Sequence, residues 1–176
     1  MKSCWIFLFC FLTGCLSAPP VNDFKMPAPV PTVLNVSGAQ INIENKEISG
    51  FDNSMPTPSA YIFKHWAEQQ FIAGNLATSL KAIIFINAQM TKTEEVKKSF
   101  WQLQNERYQL NYSVRIDFNN GDKTLFSRTV TGFEFCSIPI KSSLKAKKDK
   151  WLEMLITATN KVKNDIVENL PAKFIF

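Results

Sequence analysis

From Tyr108 to Phe118 the chain alternates without a slip. Tyr108, Leu110, Tyr112, Val114, Ile116 and Phe118 fall on one parity, and Gln109, Asn111, Ser113, Arg115 and Asp117 fall on the other. Successive side chains of a β-strand point to opposite faces, so the stretch predicts a strand with one buried and one wet face. A sheet built on such a strand must cover its dry face with another layer. "FNNGDK" follows as a hairpin turn, where Asn120-Gly121 tolerate the positive backbone angles of a tight turn. A return strand from about Thr124 to Phe135 then makes an antiparallel pair.

Upstream, "LKAIIFI" (Leu80 to Ile86) is apolar on both parities, as a central strand is. From Val33, Leu34 and Val36 alternate before Gly38 shifts the phase to Ala39, Ile41 and Ile43, which reads as one strand with a bulge. The covering layer is helical. Ser59 offers an N-cap to a helix whose apolar positions, Ile62, Phe63, Trp66, Ala67 and Phe71, run up to Gly74. Ser142 or Ser143 caps a second, in which Trp151, Leu152, Leu155, Ile156, Val162, Ile166 and Leu170 form a stripe that ends before Pro171. The order β-α-β-β-β-α predicts an α+β fold: an antiparallel sheet of about four strands with two helices packed on one face. The 176 residues suit one domain, placed at 33–176, and 15 Phe with 4 Trp supply large side chains for a core without cross-links.

Before that domain the composition changes. Met1-Lys2 gives a positive start, "CWIFLFCFL" (Cys4 to Leu12) is an unbroken apolar run, and Thr13-Gly14 are small, the layout of a signal peptide over residues 1–14. The run is about half the roughly 20 residues a helix needs to cross a bilayer. The quartet Leu12-Thr13-Gly14-Cys15 resembles the lipobox of bacterial lipoproteins, the alternative being an ordinary secretory signal with an incidental cysteine. That resemblance implies a diacylglyceryl thioether, and usually an acylated amino group, on Cys15, so that the membrane is reached through a lipid anchor. Leu16 stands where an Asp would retain a lipoprotein in the inner membrane under enteric-type sorting, which favours the outer membrane. Residues 15–32 follow as the lipidated cysteine and a tether: Ser17 to Thr32 holds five of the nine prolines. Extended at about 3.1 Å per residue, that stretch reaches roughly 50 Å.

With Cys4 and Cys10 removed in the leader and Cys15 modified, Cys136 is the one cysteine left to the domain, in the apolar "FEFCSIPI", and reads as a buried inert thiol. The helix stretch "HWAEQQFIAGN" and the strand stretch "ERYQLNYSVRIDF" look like a family of uncharacterised lipoproteins of alphaproteobacteria, matched at Trp66, Ala67, Glu68, Arg107 and Tyr108. The element order is similar to that of auxiliary lipoproteins of lipid-transport ABC systems and of outer-membrane activators of peptidoglycan synthases. Those proteins bind partners and do not catalyse.

Catalytic patterns are not found. His65 is the single histidine, and no nucleophile stands near it in sequence. One histidine and one mature cysteine far apart make no metal spacing, and the six glycines are scattered, so no cofactor is expected. Glu94-Glu95 reads as a solvated pair. The net charge is +5, about +4 without Lys2, and it is spread over several segments with no basic aromatic face, which excludes nucleic acid. One segment reads as an interaction surface: "TKTEEVKKSFWQLQNER" carries Phe100, Trp101 and Leu103 between two strands. These three either fold back on the core or lengthen the strands into a long hairpin, or they form an arm that docks a partner. The expectation is a non-enzymatic, lipid-anchored protein facing the periplasm, an accessory or scaffold to an envelope complex with a protein partner. The alternative is a carrier that holds an acyl chain between helices and sheet.

Overall fold

The named elements among the described residues follow in the order β1 (Thr32–Leu34), β2 (Gly38–Ile43), α1 (Ser59–Gln70), β3 (Phe71–Ala73), β4 (Leu80–Glu95), β5 (Asn105–Asn120), β6 (Lys123–Pro139) and α2 (Leu144–Asn169). A 3-10 turn, Ala172–Phe174, comes last. The computed structural model describes residues 26–44, 51–52, 55–95 and 105–176.

β2-β4-β5-β6 form a four-stranded sheet, and the fold is α+β. The alternating stretch is the middle of β5, and all six of its apolar residues are buried. β4, β5 and β6 are antiparallel in sequence order. β2 lies parallel to β4, so the sheet is mixed where the sequence suggests antiparallel pairing throughout. The connection explains this: β2 leads to β4 through α1, and a helical crossover returns the chain to the end where the first strand began.

The stretch from Val33 is two strands in two sheets. Val36 N donates to Leu34 O (2.9 Å) in a tight turn, after which the chain leaves β1 for β2. β1 pairs in parallel with β3, at Thr32↔Phe71 to Leu34↔Ala73. The first helix therefore stops at Gln70, and Phe71, expected inside it, opens β3. Gln70 is fully buried and Nε2 donates to Val30 O (3.0 Å) and Thr32 Oγ1 (2.8 Å). Met26 packs against the core as well, so the end of the proline-bearing stretch is held on the domain at Met26, Val30 and Thr32.

Both helices cover the same face. Phe63 of α1 meets Tyr112 (centroids 5.8 Å apart) and Trp151 of α2 meets Tyr108 (5.2 Å). Trp66 and Trp151 are buried, as their helical spacing predicts. On α2 the buried stripe is Trp151, Met154, Leu155, Ala158, Thr159, Val162 and Ile166, with Leu152 and Ile156 half-buried at its margin. Ser143 is its N-cap, accepting from Ala146 N (3.2 Å). At α1 the cap position is Pro58, and Ser59 is the first helical residue, its N and Oγ both donating to Asp52. β4 is central, as expected, but its outward face is open: Ile83 and Phe85 are half-buried, and the Arg115 guanidinium lies 4.2 Å from the Phe85 ring.

In the β5–β6 turn Gly121 has φ +60°, and among the described residues no non-glycine has positive φ. Glycine at the first central position with Asp122 on the ordinary side is the pattern of a type II′ hairpin. Gly132 has a different reason: a Cβ there would strike the Tyr112 hydroxyl, which crosses over it from β5.

Candidate functional site

The residues singled out by sequence for anchoring and docking, Cys15 and Phe100, Trp101 and Leu103, lie outside the described residues. Their surroundings are described in part. β4 and β5 run well past the alternating stretch and stay paired to Glu95↔Asn105, so residues 96–104 join the two strands of a long hairpin. Glu94 and Glu95, read as a solvated pair, are the last residues of β4 and pair across to Glu106 and Asn105.

At the foot of this hairpin a carboxylate is buried. Glu106 is 6% exposed and lies on the parity of Tyr108, facing inward. Lys92 Nζ reaches Glu106 Oε1 at 2.6 Å, and Lys147 Nζ reaches Oε2 at 2.6 Å. The Tyr108 hydroxyl donates to Oε2 as well. Three elements meet here: β4 supplies Lys92, β5 supplies Glu106 and Tyr108, and the first turns of α2 supply Lys147, one helical turn before Trp151. Burial by itself would raise the Glu106 carboxyl, but the hydrogen bonds from Lys147, Lys92 and Tyr108 outweigh it and hold it down from an ordinary 4.5 to about 2. Burial, together with the carboxylate it bonds, pushes the Tyr108 hydroxyl up from its ordinary value. Neither group is poised to exchange a proton near neutrality, so the cluster works as a clamp.

A second carboxylate is buried as well. Asp52 is 1% exposed; Oδ1 accepts from Ser59 N (3.1 Å) and Ser59 Oγ (3.0 Å), and Oδ2 accepts from Met90 N (3.3 Å). It ties the start of α1 to β4, and burial pushes its carboxyl up. Phe51, Tyr108 and Trp151 touch pairwise, with centroids 5.1, 5.8 and 5.2 Å apart.

The other residues weighed for chemistry are apart from this cluster. His65 is exposed on α1, with Nε2 3.1 Å from Gln69 Nε2. Cys136 is half-buried, and burial pushes its thiol up. Among the described residues no group of three His, Cys, Asp or Glu side chains could hold a metal ion, and no helix is long and apolar enough to cross a membrane. Sequence reading missed the Glu106 clamp, yet a signal was present: Glu106 continues the buried parity of β5 backward, and Lys92 continues that of β4 forward. A charge in phase with a core face needs a partner, and here each supplies the other.

No protein-family model matches the chain, and no curated protein matches it. The resemblance to alphaproteobacterial lipoproteins thus rests on the residues quoted for it, of which Trp66 and Ala67 are buried on α1 and Tyr108 is in the clamp. Solved structures resemble the fold weakly. A homolog of neuraminyllactose-binding hemagglutinin from Helicobacter pylori has a TM-score of 0.42 at 13% identity, over 85% of this chain and 91% of that one. An uncharacterized lipoprotein B from Nitrosomonas europaea has 0.41 at 17%, over 80% and 87%. The rare lipoprotein B from Shewanella oneidensis has 0.40 at 9%, over 74% and 94%. Bacterial lipoproteins are thus among the structural neighbours.

Proposed function

We propose that this is a lipid-anchored protein of the cell envelope, held through Cys15, that serves as a non-enzymatic accessory or scaffold in an envelope complex. The observation that carries the reading is Leu12-Thr13-Gly14-Cys15, set at the end of a charged start and an apolar run, where lipoprotein processing acts. Leu16 in place of Asp favours the outer membrane, with the domain facing the periplasm. Two or three acyl chains, at about 0.8 kcal/mol per buried methylene, give a stable anchor. The partner contact falls to Phe100, Trp101 and Leu103 in the β4–β5 hairpin. Between helices and sheet, where a carried acyl chain would have to lie, Phe63, Trp66, Tyr112, Tyr108 and Trp151 pack ring against ring, which favours the accessory role. Fractionation of a Cys15→Ser variant tests the anchor: the protein should appear in the soluble periplasmic fraction or remain unprocessed. Normal processing with the same membrane retention would overturn the reading.

A further inference from the structure

The two edges of the main sheet differ in length: β2 has six residues and β6 has seventeen. Among the described residues β6 pairs with β5 alone, so from Phe126 to Cys136 its far side presents backbone N–H and C=O groups over about 36 Å, at roughly 3.3 Å per residue. Proteins ordinarily blunt such an edge by brevity, proline or charge. Here the middle of the strand presents Ser127, Thr129, Thr131, Phe133 and Phe135 on the sheet's open face, all exposed and none charged. Phe133 and Phe135 are 61% and 59% exposed.

The charges that the middle of β6 does carry are disposed symmetrically. Thr131 is the midpoint of Lys123–Pro139. Arg128 stands three residues before it and Glu134 three after, both on the helix-facing parity. Each is held by α2: Arg128 Nη2 lies 2.6 Å from Asp165 Oδ1, and Lys161 Nζ lies 2.6 Å from Glu134 Oε1.

We propose that β6 pairs with β6 of a second copy of this chain, antiparallel, about a two-fold axis at Thr131, joining two four-stranded sheets into one of eight. This register pairs Phe126 to Cys136 of each copy and sets Arg128 of each copy opposite Glu134 of the other, an opposite-charge cross-strand pair made twice. The Arg128–Asp165 ion pair of one copy comes beside the Glu134–Lys161 pair of the other, so the α2 charges follow the same complementarity. An axis moved to Val130 or Gly132 would set Arg128 opposite Gly132 or Cys136 and lose both pairs. On the open face, Phe133 and Phe135 lie opposite Thr129 and Ser127 of the other copy.

Two measurements on the full-length protein purified from cells test this. Analytical ultracentrifugation should give the mass of a dimer. In a Cys136→Ser background, mild oxidation of a Thr131→Cys variant should give a covalent dimer, because a residue on the axis faces its own copy at about 4.5–5.5 Å between Cα atoms, within disulfide reach. Ser127→Cys and Phe135→Cys in the same background should not, since each lies about 26 Å from its own copy at roughly 3.3 Å per residue. Thr131 is exposed, so its substitution leaves the core untouched. A monomer mass, no cross-link at 131, or equal cross-linking at 127 or 135 overturns the proposal.

Discussion

The two ends of the buried sheet face are closed by different physics. At the end nearest the β5–β6 turn, three phenylalanines do it: Phe174 stacks on Phe118 (4.3 Å) and approaches Phe126 (5.7 Å). The chain terminus is stitched down by Asn35 N to Phe174 O (2.9 Å) and Phe176 N to Val33 O (3.1 Å). At the opposite end, beneath the β4–β5 hairpin, a carboxylate held by two ammonium groups and a phenol closes the core. Ring stacking needs no particular protonation state, whereas the clamp exists only while Glu106 is ionised. One end is therefore indifferent to acid and the other is not.

The largest effect should come from the aromatic end. Phe174→Ala should cost roughly 3–5 kcal/mol, as large-to-small changes of buried aromatics do, and the cost read from denaturant melts should be the same at pH 7 and pH 3. Glu106→Gln should cost about 2–3 kcal/mol at neutral pH, since it exchanges charge-assisted hydrogen bonds for neutral ones. This cost should depend on pH. A carboxyl whose folded value lies near 2, below its ordinary 4.5, contributes stability that is complete above about 4.5 and lost as pH falls toward 2. The difference between parent and variant should thus shrink across that window. Asp52, pushed up by burial, acts in the opposite sense but is common to both proteins and drops out of the difference. A constant difference from pH 7 to pH 2 would mean that Glu106 is held by shape and not by charge. Smallest is Gly132→Ala, midway between the ends: a Cβ meets the Tyr112 hydroxyl, and displacing the ring should cost about 1–2 kcal/mol. No measurable loss would show that Tyr112 moves aside freely.

How much of this was legible beforehand differs between the same regions. The alternation of β5 carried its strand, its buried face and, through the turn at Gly121, its pairing with β6, although the two turn residues are Gly121-Asp122 and not Asn120-Gly121. The helical stripes placed Trp66 and Trp151 on covered faces. What did not show was anything whose partner lies far along the chain. β1 and β3 are three residues each, too short for a period to emerge, and each makes sense only beside the other, some forty residues away. β3 was absorbed into the spacing of α1 because Phe71 keeps the helical phase whichever way the backbone turns. Parallel pairing of β2 was hidden for the same reason, since the direction of a strand is set by its connection and not by its pattern. The clamp was half legible: the parity of Glu106 and Lys92 could be read from the chain, but the second cation, Lys147, arrives from a helix forty-one residues on.

The proposed lipid anchor at Cys15 is tested most directly by mass spectrometry of the wild-type protein's N-terminal proteolytic fragment, isolated from membranes. Expected is a fragment that begins at Cys15 and carries the added mass of a diacylglyceryl group, with or without a further acyl chain on the amino group. A fragment that still contains Met1 to Gly14, or one that begins elsewhere with Cys15 unmodified, would contradict it.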